Sequence, residues 1–184
     1  MDKRRSDTRE RIRAAAMELF AERGYERTSL REIAEQLGVT KAALYYHFRT
    51  KEDIVVSLAE DLRRGVDDIM RWAETTPPGP ARAREIVLRY GTLLHGLGKD
   101  MMRLFADNQA AFRDLGIGAS LRYEFRELAD LMAAPTPTPL SVFHARQALL
   151  AISWSVSMMG DVALDDDQSR TAATSIALDI VARM

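Results

Sequence analysis

Residues 28–51, TSLREIAEQLGVTKAALYYHFRTK, constrain the fold of this chain more strongly than any other stretch. Ser29 and Glu32 have the spacing of a capping box, in which each side chain satisfies an exposed backbone N–H group at a helix start. Apolar residues then recur at helical spacing until Gly38, a residue type that permits a sharp turn through positive φ. Thr40 is a favourable N-cap for a second short helix. Helix, glycine-containing turn and helix form the helix-turn-helix signature, whose second helix enters the major groove of DNA.

The second helix of this motif carries residue types that suit contact with DNA. Lys41 lies near its N-terminus, where base edges are reached. Ala42 and Ala43 allow a close approach and can contact thymine methyl groups. The tyrosines and the histidine that follow can donate hydrogen bonds to phosphates. The alternative interpretation is a structural three-helix unit, because many helical hairpins contain a glycine.

The predicted DNA contacts also include a basic N-terminal tip and the start of the next helix. Arg5 belongs to the tip, which either reaches the minor groove and phosphates or is simply a solvated terminus. Lys51 lies at a helix N-terminus, where backbone N–H groups also favour an anion. The complete set of predicted DNA-binding residues is Arg5, Thr28, Ser29, Arg31, Thr40, Lys41, Ala42, Ala43, Tyr45, Tyr46, His47 and Lys51.

Charge is distributed unevenly along the chain, although the net charge is only −1. Residues 1–51 contain 12 Lys and Arg against 8 Asp and Glu, a balance of +4. Residues 52–184 contain 14 against 19, a balance of −5. A basic N-terminal part followed by an acidic remainder is typical of a DNA-binding domain attached to a second domain.

The segment TSLREIAEQLGVTKAALYYHFRTKEDI resembles the DNA-binding signature of the tetracycline-repressor (TetR) family of bacterial regulators. The run from Leu37 to Lys51 is its most diagnostic part, and the preceding residues 16–25 fit the same pattern. The resemblance covers roughly residues 9–58. The 126 residues that follow it, 59–184, agree with the family only in length, helicity and layout.

Several classes of protein are disfavoured by what the sequence lacks. There are no cysteines, which excludes disulfides, thiolate metal sites and thiol catalysis. No apolar run reaches the length of a membrane-spanning helix, and the N-terminus lacks the apolar core of a signal peptide, so a cytoplasmic protein is expected. The three histidines have no metal-ligand spacing, and no catalytic motif occurs. We therefore expect no catalytic residues, no metal, no cofactor and no enzymatic activity.

Past the motif, apolar stripes separated by proline-rich and glycine-rich breaks predict helices only. Thr50 caps a helix from about Lys51 to Glu74, on the order of 35 Å long. Its far end, near Trp72, is expected to border a ligand pocket. The prediction is an all-α fold of about nine helices. Residues 1–50 would form a helix-turn-helix DNA-binding domain, and residues 51–184 a helical effector-binding and dimerisation domain. The predicted helices of the second domain span about residues 51–74, 81–97, 100–112, 119–133 and 140–162, with a last helix after residues 165–167.

The second domain is rich in large, flexible apolar side chains with a few polar ones among them. Ligand pockets are lined in this way, and methionine adapts to varied shapes. Ordinary core packing is the commoner role for any single one of these residues. The TetR resemblance implies a small-molecule pocket in this domain, and the candidate ligand-binding residues are Trp72, Tyr90, His95, Met101, Met102, Phe105, Asn108, Phe112, Tyr123, Trp154 and Met158.

The last two helices carry more apolar surface than one side of a small domain can cover. Symmetric pairing of two copies would bury this surface in a four-helix interface across a two-fold axis. The predicted dimer-interface residues are Leu149, Ile152, Val156, Ala173, Ile176, Ala177 and Ile180.

Three functions remain open at this point. The leading hypothesis is a homodimeric repressor that binds a pseudo-palindromic operator in double-stranded DNA and is released by a small-molecule effector, without a membrane partner. The second is a DNA-binding regulator controlled by a protein partner. The third is a helical enzyme or carrier with an incidental helical hairpin.

Overall fold

The computed structural model describes residues 2–97, 99–108, 110–158 and 163–184. Over these ranges the chain forms nine α-helices, one short 3-10 helix and no strand, which confirms the all-α prediction. The elements in chain order are α1 (Asp2–Arg23), α2 (Leu30–Leu37), α3 (Lys41–His47), α4 (Lys51–Glu74), α5 (Pro80–Leu97), α6 (Lys99–Asp107), the 3-10 helix Arg113–Leu115, α7 (Ile117–Ala133), α8 (Pro139–Met158) and α9 (Asp166–Val181).

The capping groups that the sequence predicts form as expected. Ser29 Oγ accepts a hydrogen bond from the Glu32 backbone N–H at 3.3 Å, and the Ser29 N–H donates to the Glu32 carboxylate at 2.8 Å. Gly38 ends α2 with φ of 64°, a conformation that costs glycine little. Thr40 Oγ1 accepts from the Ala43 N–H and so begins α3. These local interactions fix the turn between α2 and α3.

The main error in the predicted helix bounds concerns α6. The sequence predicts a helix to about Phe112, whereas α6 ends at Asp107. The Asn108 side-chain amide donates to the Leu104 carbonyl at 2.9 Å, which gives that carbonyl a side-chain partner at the helix end. A turn and the 3-10 helix follow up to Gly116, which has φ of 69°. Residues 159–162, where the sequence predicts the end of α8, lie outside the described ranges.

A first hydrophobic core joins the helix-turn-helix unit to the segment around α6. It contains buried side chains from α1, α2, α3 and the first third of α4, together with Met101, Leu104, Phe105, Phe112 and Ile117. Tyr25 lies within this core, with its ring against Phe20 and Phe112 at centroid distances of 5.2 and 4.9 Å. The division into two domains at residue 50 stays a prediction, and this core draws side chains from both sides of it.

A second core lies between the rest of α4 and helices α5, α7, α8 and α9. Here α8 packs along α9, and α5 contacts both of them. The guanidinium of Arg82 is buried at one end of this core, where it donates to the carbonyls of Ala73 and Leu131. It thereby joins the C-terminal ends of α4 and α7. None of the described helices has the length and apolar content needed to cross a membrane.

Candidate nucleic-acid interface and ligand cavity

Helix α3 is held to the first core by Leu44 and by Phe48, the residue that follows it, and presents five other side chains to solvent. Leu44 and Phe48 are 0% and 2% exposed, and the Arg9 guanidinium lies 5.1 Å from the centre of the Phe48 ring. Because these two anchors point inward, Lys41, Ala42, Ala43, Tyr45 and Tyr46 are exposed on the remaining surface. The helix KAALYYH contains no acidic residue that would repel phosphate. The structure thus brings together most of the predicted DNA contacts.

The cationic and aromatic side chains of α3 contact one another. The Lys41 ammonium lies 5.3 Å from the centre of the Tyr45 ring, within the range of a cation–π contact. Tyr46, the most exposed of these aromatic residues at 67%, has its ring 5.3 Å from the His47 ring in an edge-on arrangement. The exposed face of α3 therefore carries one ammonium group and two phenol hydroxyls, and the half-buried His47 imidazole lies beside them.

Ser29, Arg31 and Thr40 are also exposed, as a DNA contact requires. The Ser29 hydroxyl donates to Glu32, and the Arg31 guanidinium pairs with Glu35 at 2.7 Å. Exposed ion pairs contribute little to stability, so Arg31 can exchange Glu35 for a phosphate at small cost. Arg5 has its backbone in α1, but its side chain lies outside the part that the structure describes.

Two predicted contacts have their polar groups engaged inside the protein. Thr28 is 2% exposed, and its hydroxyl donates to the Gly24 carbonyl at 2.9 Å. Its side chain therefore stabilises the turn, and it is not among the contacts proposed below. The Lys51 ammonium donates to the carbonyls of Tyr25 and Glu26 at 2.7 and 3.4 Å. Of its three protons, one is left for a phosphate.

Tyr25 and Glu52 connect the end of α1 to the start of α4. The Tyr25 hydroxyl donates to the Glu52 carboxylate at 2.7 Å, and burial, followed by this hydrogen bond, raises the pKa of Tyr25. Burial raises the pKa of the Glu52 carboxyl, but hydrogen bonds from Tyr25 and other donors outweigh it and leave the pKa below its usual value. The phenol therefore stays protonated and the carboxyl ionised at neutral pH, which maintains the link.

A cavity of about 340 Å³ lies between α4, α5, α6, α7 and α8. Of the predicted ligand-binding residues, Tyr90 and Met102 line it. The other lining residues, which the sequence analysis did not select, are Leu62, Val66, Leu121, Arg122, Glu124, Phe125, Leu128 and Leu150. The contribution of α4 comes from its middle, rather than from the predicted region near Trp72. Walls of this size and apolar character are typical of small-molecule sites.

The remaining predicted ligand residues lie elsewhere, for identifiable reasons. Met101, Phe105 and Phe112 belong to the first core because they pack towards α1. Tyr123 and Trp154 are 63% and 53% exposed. Trp72 lies against the Arg89 guanidinium at 4.1 Å, outside the cavity lining. His95, near the start of α9, and Asn108, at the end of α6, are half-buried outside the lining, while the Met158 side chain lies outside the described part.

Glu124 is the buried charged group in the cavity wall, and it was not among the predicted ligand-binding residues. It is 5% exposed, and its Oε1 accepts from the Ser120 hydroxyl at 2.9 Å. Its Oε2 is buried and has no hydrogen-bond partner among the described residues. Burial raises the pKa of the Glu124 carboxyl above its usual value. The signal that could have revealed it is a glutamate between Leu121 and Leu128 on the apolar face of α7.

Tyr90 supplies a second polar group in the same wall. Its hydroxyl lies 3.0 Å from the Ser153 hydroxyl of α8, and burial raises the pKa of Tyr90. The Ser153 hydroxyl in turn donates to the Leu149 carbonyl. Tyr90 therefore has a protein partner, whereas Glu124 Oε2 has none within the described part of the chain. Within the same ranges, no group of three or more potential metal-ligating side chains occurs.

The predicted dimer residues divide into two groups. Leu149, Ile152 and Ala177 are buried within the protomer's own second core, because α8 and α9 pack on each other and on α5. Ala173 of α9 is buried as well. Ile176 is 54% exposed and Ile180 is half-buried, while the Val156 side chain lies outside the described part. The exposed apolar surface of these helices also includes Leu140, Phe143 and Trp154.

Comparison with known sequences identifies regulators of transcription. A family model described as "Bacterial regulatory proteins, tetR family" matches residues 12–58. The probable HTH-type transcriptional regulator ArpR of Pseudomonas putida is 41% identical over 186 residues, which cover 85% of this chain and 86% of that protein. The HTH-type transcriptional repressor BepR of Brucella suis biovar 1 (strain 1330) is 43% identical over 68 residues. The latter match covers 37% of this chain and 32% of that protein.

Comparison with solved structures agrees. Mycobacterium smegmatis AmtR matches with a TM-score of 0.66 and 29% identity, over 94% of this chain and 85% of that one. The TetR-family regulator PfmR of Thermus thermophilus matches with a TM-score of 0.72 over 94% of this chain and 97% of that one. At 19% identity the PfmR match shows the fold alone. The relatives are transcriptional regulators, which confirms the expectation that the chain is not an enzyme.

Proposed function

The chain belongs to the TetR family of bacterial transcriptional regulators, and we propose that it is a homodimeric repressor released from a pseudo-palindromic operator by a small molecule. In this proposal α3 reads the major groove with Lys41, Ala42 and Ala43. The contacts that position the DNA backbone come from Tyr45, Tyr46, His47, Ser29, Arg31, Thr40, Lys51 and Arg5 of the basic N-terminal tip. Residues 1–50 form the DNA-binding domain and residues 51–184 the effector-binding and dimerisation domain. The relative BepR is named a repressor, which supports repression rather than activation of transcription.

The observation that carries this proposal is that the cavity and the DNA-binding core share two helices. Helix α4 begins beside α3 with Lys51 and contributes Leu62 and Val66 to the cavity wall. Helix α6 contributes Met102 to the cavity and its neighbour Met101 to the first core. A ligand that shifts either helix therefore acts on side chains that support α3.

The size of the required effect is modest. The recognition helices of a dimer must keep a spacing of about 34–36 Å, one turn of DNA, to reach both half-sites. A tenfold change in operator affinity needs about 1.4 kcal/mol of coupling between effector and DNA. An effector supplies this energy only through its difference in affinity for the two arrangements of the dimer.

Reciprocal coupling provides the test of this function. Genomic fragments that bind the protein should first be selected to obtain the operator. Compounds that bind the protein should then be titrated with and without this DNA. We expect an effector to bind about tenfold more weakly to the operator complex, because linkage makes the two effects equal. A scrambled duplex of equal length is the control. Equal effector affinities in the presence and absence of operator would contradict small-molecule release and favour the protein-partner alternative.

Replacing Lys41 with alanine should relax the sequence preference of DNA binding. Lys41 is the main polar candidate for a base contact, so we expect a loss of about 1–3 kcal/mol confined to one operator position. The fold should not suffer, because the side chain is exposed on α3. Titration of the operator and of single-base variants, all at one salt concentration, would measure this loss. A uniform loss over all duplexes would contradict the assignment.

Lys51→Ala is the matched comparison for that variant. It removes a phosphate contact, so binding to all duplexes should weaken and the salt slope should fall by about one. It also removes the bonds to the Tyr25 and Glu26 carbonyls, so the free energy of unfolding should fall by about 1–3 kcal/mol. A loss specific to operator DNA would contradict the proposed division between the two lysines.

A further inference from the structure

We propose that the cavity binds a lipophilic amine, with the ammonium group of the ligand donating to the Glu124 carboxylate and its apolar body lying against the surrounding side chains. This proposal rests on the proposed function, because it names the class of effector that the same cavity would take. Two features of the cavity wall support it: the oxygen atom Glu124 Oε2 and the apolar side chains around this atom.

Glu124 Oε2 is an acceptor without a partner among the described residues of the protein. The whole side chain is 5% exposed, and no hydrogen bond reaches this oxygen from that part of the chain. An unpaired buried carboxylate is costly, and a protonated one still leaves its polar atoms poorly satisfied. A ligand that donates a hydrogen bond here removes this cost, whereas a purely apolar ligand leaves it in place.

Neighbouring charges do not neutralise the carboxyl. Arg63 favours its ionised form and Asp67 opposes it, but these two residues pair with each other at 2.7 Å. Arg122, which also lines the cavity, is exposed to solvent, which screens its charge. The wall therefore has an acidic group whose charge a bound cation would balance. A charge-assisted hydrogen bond is about twice as strong as a neutral one, which favours an amine over an alcohol.

The rest of the wall determines the other part of the ligand. Leu62, Val66, Phe125 and Leu128 are apolar, and Met102 is a flexible side chain that adapts to different shapes. The ring of Phe125, on the same helix as Glu124, offers a face for an aromatic group. A molecule with one ring, a short alkyl chain and a terminal amine fits this combination of side chains.

Three probes that share the same body test the proposal. 4-Phenylbutylamine, 4-phenylbutanol and 4-phenylbutyrate should be titrated calorimetrically into the full-length protein at neutral pH. We expect the amine to bind at least about tenfold more tightly than the alcohol, and the acid to bind most weakly. Glu124→Gln should lower the affinity for the amine about tenfold and change that for the alcohol by less than about threefold. Equal affinities of amine and alcohol for the unmodified protein, or no binding of the amine, would overturn the proposal.

Glu127→Gln is the control, because it removes an exposed carboxylate from the same helix. If it weakened amine binding as much as Glu124→Gln, a general electrostatic effect would replace the proposed contact. Thermal unfolding establishes that both variants are folded, and the comparison of amine with alcohol on the unmodified protein needs neither variant. Tight, Glu124-dependent amine binding with unchanged operator affinity would support this site and reject effector-controlled release. If the protein bound 4-phenylbutyrate preferentially and lost operator binding in its presence, effector-controlled release would be supported and the proposal of an amine ligand would be overturned.

Discussion

Replacing Ile176 with arginine is expected to convert the proposed dimer into a monomer and to lower operator affinity by about 100-fold or more. Ile176 is 54% exposed on α9, which packs along α8, a helix that also exposes apolar side chains. In a two-fold interface the same surface occurs on both copies, so one substitution introduces two guanidinium groups. Both would lose water without gaining a partner, at a cost well above that of most single substitutions.

The loss of operator affinity follows from the loss of the second half-site. A monomer places one α3 in the major groove and retains the contacts of one half-site only. Mass in solution should be measured by sedimentation over a range of protein concentrations. Operator binding should be measured at the same ionic strength throughout, because phosphate contacts depend on salt.

Thr171→Arg is the matched control for this substitution. Thr171 is also exposed on α9, but it lies about 140° around the helix from Ile176. The same guanidinium at that position should leave both mass and operator affinity unchanged. A persistent Ile176→Arg dimer with normal operator binding would place the dimer interface on another surface.

Ile152, which the sequence analysis also assigned to the dimer, does not offer the same test. It is 3% exposed and packs within the protomer's second core. Arginine there would disrupt the fold of one chain before any effect on pairing appeared. Helix α8 is apolar on several sides, so its composition could not indicate which side faces the chain's own core. Trp154, predicted to bind ligand, is instead an exposed residue of α8.

The DNA-binding unit was predictable because its determinants are local. The capping box of Ser29 and Glu32, the turn at Gly38 and the cap at Thr40 each depend on residues within four positions of one another. Side-chain partners distant in sequence were not predictable. Lys51 has the position and charge of a phosphate contact, yet its ammonium also binds the carbonyl of Tyr25, 26 residues earlier.

The sequence led us to expect a ligand pocket in the second domain, but only Tyr90 and Met102 of the candidate residues line the cavity. The candidates were chosen mainly among large aromatic residues and methionines. The cavity wall instead consists mainly of leucine, valine and other residues that also form ordinary cores. Which helix face borders a void depends on how five helices pack, and periodicity carries no such information. Glu124 is the exception, because a charged residue on the otherwise apolar face of α7 can be recognised in the sequence itself.

Arg82 is a second buried charge that periodicity did not reveal, and its replacement by methionine should destabilise the fold by about 3 kcal/mol. The side chain is 6% exposed and donates to the carbonyls of Ala73, Thr76 and Leu131. Two of these acceptors belong to the C-terminal ends of α4 and α7, where helix carbonyls lack intrahelical partners and cations are favoured. Methionine retains most of the apolar volume but leaves three acceptors without this donor.

Two further substitutions separate the geometry of Arg82 from its charge. Arg82→Lys keeps the charge but lacks the planar fork that reaches acceptors on two helices, so it should recover about half of the loss or less. Arg84→Met, at an exposed position of the same helix, should change stability by less than about 0.5 kcal/mol. Urea unfolding at one fixed protein concentration would measure all three, because dimer formation makes stability concentration-dependent. A loss below about 1 kcal/mol for Arg82→Met would mean that water replaces the guanidinium at these carbonyls, and that α4 and α7 are held together by apolar packing alone.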